Sequence, residues 1–274
     1  MKIESGQLEI VDHRSEANQA IATTYRNFVE LSFIRDVLPR QAIVLDAGCG
    51  DGRVTRFLTR KGYRVVGIDI SAKVLALAKT KVDIQNREVD YVQADVTQLP
   101  FRGRTFSAVL FIGTFVYMRN ISPAIEEAHR VSAESGITVF NVLNGNVLPL
   151  RKNLIEFRAR IKIKKELSVS LRTNQEFGIY HDPRLVASKF LAEGYRNLKI
   201  RGLFTIMPGD AGVIDTIATK LHFRFALQRI RFPWLLALIN DKLSKLKIYY
   251  LVCPDIIYSG TRTKVKQSDK MATS

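Results

Sequence analysis

Cysteine is nearly absent: two residues, Cys49 and Cys253, in 274. A disulfide framework is excluded as the basis of the fold, and a reducing compartment, the cytoplasm, is expected. Long apolar runs are also missing. The longer ones are Ala108 to Ile112, Trp234 to Ile239 and Ile248 to Cys253. All fall far short of the roughly 20 residues that cross a bilayer as a helix. Met1 to Ile10 has no apolar core and no cleavage site, so no signal peptide is expected. The few histidines and cysteines form no cluster with zinc spacing, and no metal site is expected. Internal repeats and low-complexity tracts are lacking. Acids are scarce as well: 26 Asp and Glu against 42 Lys and Arg, a net charge of +16.

What is present is a globular composition, 46% hydrophobic, long enough for one domain over residues 1–274 with a sizeable core. The charge is uneven. Residues 1–150 carry 18 basic and 16 acidic side chains, residues 151–274 carry 24 and 10. The first half is nearly neutral and the second holds +14 of the +16. Such asymmetry points to a polyanionic partner: nucleic acid, an anionic membrane surface or an acidic substrate.

The chain is organised around Val44-Leu45-Asp46-Ala47-Gly48-Cys49-Gly50-Asp51-Gly52-Arg53. Ala42 to Leu45 reads as a buried strand. Glycine then falls at every second position, and Arg53 to Arg60 has helical spacing, with Val54, Phe57 and Leu58 on one face. Strand, tight turn and helix let a backbone approach a ligand closely and aim helix N–H groups at it. A dinucleotide site would want G-x-G-x-x-G, but its third glycine position is Arg53.

The observed G-x-G-x-G, with Asp46 two positions upstream, resembles the first motif of the class I S-adenosylmethionine (SAM) dependent methyltransferases. The resemblance covers residues 42–142. It implies SAM as cofactor, with Asp46, Gly48, Cys49 and Gly50 around its methionyl tail. Arg64 to Ile70 is a second buried strand ending in an acid. By the resemblance, Asp69 accepts from both ribose hydroxyls, with Ile70 beside it, and Ser71 is an N-cap for Ala72 to Lys81. Val89 to Ala94 is a third strand. Asp95-Val96-Thr97-Gln98-Leu99-Pro100-Phe101 is similar to a family segment in which the acid meets the adenine amino group and the next N–H a ring nitrogen. Phe106 to Gly113 is a fourth strand, whose end, with Ile112, borders the methionine part. The family usually has Asp where this chain has Ser107.

Ile121 to Ser132 reads as a helix and Gly136 to Val142 as a fifth strand. Asp182 caps a helix ending at Gly194, and Tyr195 to Leu203 and Ile256 to Thr263 read as strands. The expected fold is α/β: a Rossmann-like, doubly wound seven-stranded sheet, mostly parallel with an antiparallel last strand, plus helical inserts. Residues 15–38 read as a helix, with Phe28, Leu31 and Ile34 on its apolar face and Tyr25 able to approach SAM. The inserts, 144–180 and 204–254, read as an amphipathic substrate cap. Leu150, Leu154, Phe157 and Ile161 share one face of the first, and Pro233 to Lys247 forms a helix in the second.

The resemblance implies methyl transfer by in-line displacement, where alignment does most of the work. No base motif is evident; His181 is the one weak candidate for catalysis. The expected acceptor is a small molecule or lipid, with peripheral contact at an anionic membrane. An RNA methyltransferase is the alternative, although the fourth strand lacks the Asn/Asp-Pro-Pro-Tyr/Phe sequence of base-amino methylation and no RNA-binding module is visible. A non-catalytic binder with a retained fold is the third reading. The oligomeric state is left open.

Overall fold

The structure, a computed structural model, describes residues 29–81, 89–144, 168–172, 177–203 and 255–263. The end of helix α1 (29–37) leads into β1 (Ile43–Ala47), α2 (Arg53–Arg60), β2 (Arg64–Asp69), α3 (Ala72–Thr80) and β3 (Asp90–Gln93). Then come β4 (Phe106–Phe111), a 3-10 turn (Phe115–Tyr117), α4 (Ser122–Val131) and β5 (Ser132–Asn144). The chain ends its described part with β6 (Ser168–Arg172), β7 (Phe177–His181), α5 (Pro183–Ala192), β8 (Tyr195–Leu203) and β9 (Asp255–Arg262). Two helix starts are capped as the sequence suggests. Ser71 Oγ accepts from the Val74 N–H, and Asp182 Oδ1 from the Arg184 N–H.

β3, β2, β1, β4 and β5 lie side by side and parallel. β9 runs antiparallel to β5, and β8 antiparallel to β9. These seven strands are the expected doubly wound sheet with its reversed strand. Side chains alternate along each strand and feed two cores, one per face. From β4, Phe106, Val109 and Phe111 pack with Ile125, Ala128, Val186 and Phe190 of α4 and α5. Ala108, Leu110 and Ile112 face the other way, toward Phe33, Ile34, Val54 and Leu58 of α1 and α2. On the first face Phe140 is sandwiched between Phe190 at 3.8 Å and Tyr258 at 4.8 Å, the ring planes near-parallel. That stack ties α5 to β5 and β9.

Among the described residues the sheet has nine strands, because part of the first insert joins it. The expectation of a purely helical insert is corrected here: residues 168–181 contain an antiparallel hairpin, β6 and β7. Ser168-Val169-Ser170-Leu171 and Phe177-Gly178-Ile179 alternate with period two around a polar stretch, a hairpin pattern that the helical spacing upstream overshadows. β7 pairs with β5 in parallel, Leu143 with Tyr180 and Asn144 with His181. Leu143 also pairs with Asp255 of β9. A strand residue has two edges, so β7 lies on the β4 edge of β5, past the last β4 pair, Phe111 with Phe140. The hairpin therefore stands beyond the C-terminal end of β4.

The remaining expectations fall on residues outside those described. They are Tyr25 and the start of α1, the apolar face from Leu150 to Ile161, the insert 204–254 with its helix from Pro233, and Cys253. Among the described residues no helix is long and apolar enough to cross a membrane.

Candidate functional site

Glycine recurs in the turn after β1 because three alternate residues are left-handed: Gly48 at φ 78°, Gly50 at 56° and Gly52 at 79°. The N–H groups of Gly48 and Cys49 both donate to the Ile68 carbonyl at 2.8 Å. The turn is thus laced to the end of β2. A Cβ on Gly52 would run into Tyr91 Oη, and one on Gly67 would lie 2.9 Å from the Tyr91 ring. The glycines at 52 and 67 make room for a tyrosine from β3 packed beside the turn.

Asp69 ends β2, and its carboxylate spans the site. Oδ2 accepts from the Gly50 N–H at 3.0 Å and Oδ1 from the Ser71 N–H at 2.9 Å. Each oxygen keeps a further lone pair, so the group can still accept from two hydroxyls. Ile70, beside it, is 57% exposed, an apolar surface next to the acid. Asp46 is buried at the end of β1 and accepts from Thr55 Oγ1 at 2.6 Å. Burial pushes its pKa up from 3.8 to about 6, against the Thr55 hydrogen bond and the nearby Arg53 charge. Cys49 is buried as well. Burial first, then the charges of Asp46 and Asp69, push its thiol well up, so it remains protonated and inert.

Asp95 is exposed beyond β3 and forms a tight turn, its Oδ1 accepting from the Thr97 N–H and Oγ1 at 2.8 Å. Val96 packs half-buried against the core. The following Leu99 to Phe101 segment is clamped by α4. Glu127 accepts from the Leu99 N–H at 2.7 Å, and Arg130 donates to the carbonyls of Leu99 and Phe101 at 2.9 and 2.7 Å. Ile112 is buried at the end of β4. Asp46, Asp69 and Asp95 thus lie at or just past the C-terminal ends of three neighbouring strands, β1, β2 and β3, on one edge of the sheet, where open α/β sheets bind ligands. Among the described residues no group of three or more His, Cys, Asp or Glu is placed to hold a metal.

His181 sits apart from these acids, at the end of β7. It is fully buried, and its Nε2 lies 3.0 Å from the Phe115 carbonyl. A carbonyl only accepts, so Nε2 carries the proton and Nδ1 is the bare nitrogen. Nδ1 has no partner. Burial lowers the pKa of the ring, favouring its neutral form, and is opposed by its backbone contacts at Phe115 and Met118.

Several residues of the site escape the sequence reading. Thr114, just past β4, donates from Oγ1 to the Ala47 carbonyl at 2.7 Å, joining β4 to the glycine turn. Asn141 accepts from the Gly113 N–H at 2.7 Å, and Glu30 pairs with Arg53 at 2.8 Å. Both have a signal. Asn141 interrupts the apolar run Val139-Phe140-Asn141-Val142, and Glu30 sits among Val29, Phe33 and Ile34 on the buried stripe of α1. A polar group in such a place needs a partner.

The fold and this edge of carboxylates can be set beside known proteins. Residues 45–140 match the family model described as a methyltransferase domain. A crystal structure of a SAM-dependent methyltransferase from Mesorhizobium loti superimposes with a TM-score of 0.58 at 14% identity, over 88% of this chain and all of that one. Over residues 45–140 the chain is thus similar to methyltransferase domains, and its fold is that of the SAM-dependent methyltransferase it superimposes on. It is 33% identical over 110 residues to a malonyl-[acyl-carrier protein] O-methyltransferase of Enterobacter lignolyticus, covering 40% of this chain and 42% of that protein. It is 28% identical over 134 residues to a ubiquinone biosynthesis O-methyltransferase of Azorhizobium caulinodans, covering 44% and 53%. The chain spans about half the length of the relatives it matches.

Proposed function

We propose that the protein binds SAM and transfers its methyl group to a small-molecule or lipid-like acceptor. The observation that carries this reading is Asp69, held by the Gly50 and Ser71 amides so that one carboxylate ties the glycine turn to the start of α3. In the bound state its remaining lone pairs take the ribose hydroxyls, Asp46 faces the ammonium group, and Asp95 with the Val96 amide reads the adenine. The bound group supplies an electrophilic methyl carbon on sulfur. The chain's own task is to hold donor and acceptor in line and keep water out. The hairpin β6–β7, beyond β4, forms one wall of the acceptor side, and the inserts 144–180 and 204–254 act as a substrate cap. Both relatives named above are O-methyltransferases, so oxygen is the acceptor atom to test first.

The +14 charge of residues 151–274 supports an amphiphilic or anionic acceptor met at a membrane surface from the cytoplasm. It also favours a second reading, an RNA methyltransferase. Calorimetry tests the cofactor: SAM and its demethylated product should bind, and NAD should not. Labelled methyl transfer to lipid, small-molecule and RNA extracts tests the acceptor. Anionic vesicles should bind more tightly than neutral ones, the more so at low salt. Replacing Arg158, Lys162, Lys164 and Lys165 by Gln should reduce vesicle binding without changing SAM affinity. A single structured RNA that binds tightly and is methylated, with no vesicle binding, would select the RNA reading.

A further inference from the structure

Glu30 is buried to the last oxygen, its side chain 1% exposed. Oε2 accepts from Arg53 Nη2 at 2.8 Å, and Oε1 from Asn141 Nδ2 at 3.1 Å. Asn141 in turn accepts, through Oδ1, from the Gly113 N–H at 2.7 Å. The amide has one possible orientation, because its neighbours are a pure donor at Gly113 and a pure acceptor at Glu30. A line of polar contacts thus runs Arg53, Glu30, Asn141, Gly113. It joins α1, the first residue of α2, the C-terminal part of β5 and the second residue past β4.

Taking a charge pair out of water is expensive, and an apolar pair of similar volume would often leave a protein as stable or more so. What the apolar pair would lack is direction. Arg53 adjoins the glycine turn, and Gly113, left-handed at φ 79°, follows the end of β4. By the family resemblance, the glycine turn surrounds the methionyl tail of SAM and the end of β4 borders its methionine part, so these are the two walls of that end. We propose that Glu30 is a positioning residue for that end of the cofactor, acting through Arg53 on one wall and through Asn141 and Gly113 on the other. This rests on the SAM reading. The carboxylate contributes two acceptors at a fixed separation, and no other side chain of its length offers two acceptors and no donor.

Glu30→Gln keeps the shape but supplies only one acceptor. Its amide nitrogen must then face either Arg53 or the Asn141 amide nitrogen, donor against donor. Glu30→Gln with Asn141→Asp exchanges the two groups. The amide now at position 30 is then able to accept from Arg53 and donate to the carboxylate at position 141, which still accepts from Gly113.

The experiment uses two ligands that share adenine and ribose: S-adenosylhomocysteine, which has the amino-acid tail, and 5′-methylthioadenosine, which lacks it. Affinities are measured by calorimetry on the full chain, beside melting temperatures. Glu30→Gln and Arg53→Met are expected to weaken S-adenosylhomocysteine at least tenfold and leave methylthioadenosine within about twofold. The double variant is expected to return S-adenosylhomocysteine to within about threefold of wild type. Equal loss of both ligands in the single variants, no loss of either, or no recovery in the double variant would overturn the proposal. Wild-type protein that binds neither ligand would instead overturn the SAM reading and the proposal with it.

Discussion

A methyl group on residue 48 would lie 2.5 Å from Thr114 Oγ1 and 2.7 Å from its Cγ2. Thr114 cannot turn aside freely, since Oγ1 is bonded to the Ala47 carbonyl. Gly48 is also left-handed, which adds about 1 kcal/mol of strain for any other residue. Gly48→Ala is expected to lower the melting temperature and to weaken SAM binding at least tenfold. Combining it with Thr114→Ala should cost less than the two single changes together, because the atoms in conflict are removed. Additive losses in a double-mutant cycle would show that the contact is not the cause.

Asp46 gives the site a pH dependence. Its pKa is about 6 in the folded protein against an ordinary 3.8, so the folded state holds the proton more tightly than the unfolded one. The stability this contributes is fully present below the ordinary value of 3.8 and is lost as pH rises through about 6. An ammonium ligand needs the ionised form. SAM affinity should therefore fall toward tenfold per pH unit below about 6 and level off above about 7. Asp46→Asn should bind weakly at every pH, without that slope. A slope that survives in Asp46→Asn would assign it to another group.

The glycine turn, Asp69 and Asp95 were legible in the sequence because each is a local pattern: a strand, then a residue type that the strand's end requires. The caps at Ser71 and Asp182 were legible for the same reason. The partnerships were not. Glu30 meets Asn141 across 111 residues, and Thr114 meets Ala47 across 67; nothing in a short window links such pairs. The buried stripe of α1 runs through Val29, Glu30, Phe33 and Ile34, with Leu31 half-buried against the same core, and it includes a charge that an apolar count skips. His181 gives no sign of burial in the sequence, because its place depends on the hairpin joining β5.

The clamp of α4 on Leu99 to Phe101 should matter for the adenine side. Glu127→Gln and Arg130→Ala each remove contacts to that segment. Hydrogen exchange at the Leu99 amide is expected to accelerate, and both SAM and methylthioadenosine to weaken about threefold or more. Unchanged exchange in both variants would mean that the segment is held by its apolar packing alone.

His181 is expected to support the acceptor side rather than act as a base. Its Nε2–H is committed to the Phe115 carbonyl, which also accepts from the Met118 N–H at 3.1 Å; removing the ring loses one buried hydrogen bond, about 0.5–1.5 kcal/mol. His181→Ala should lower the melting temperature, reduce methyl-transfer turnover by less than a thousandfold and keep the pH profile. A larger loss with intact SAM affinity and fold would identify general-base catalysis at this ring.

The pairing of Leu143 with both Tyr180 and Asp255 makes β5 a junction. Upstream of it, residues 137–140 are held between β4 and β9, and none of those pairs involves the hairpin. The ladder that carries the cofactor half is closed before β7 begins. Replacing the segment between Asn144 and Asp182 would remove the two parallel pairs of β7 with β5 and leave the registers among β3, β2, β1, β4 and β5 untouched. Chimeras joined at these two residues are therefore expected to keep the parallel ladder, and comparing their methyl-acceptor range with that of the parent tests whether the exchanged segment sets the acceptor.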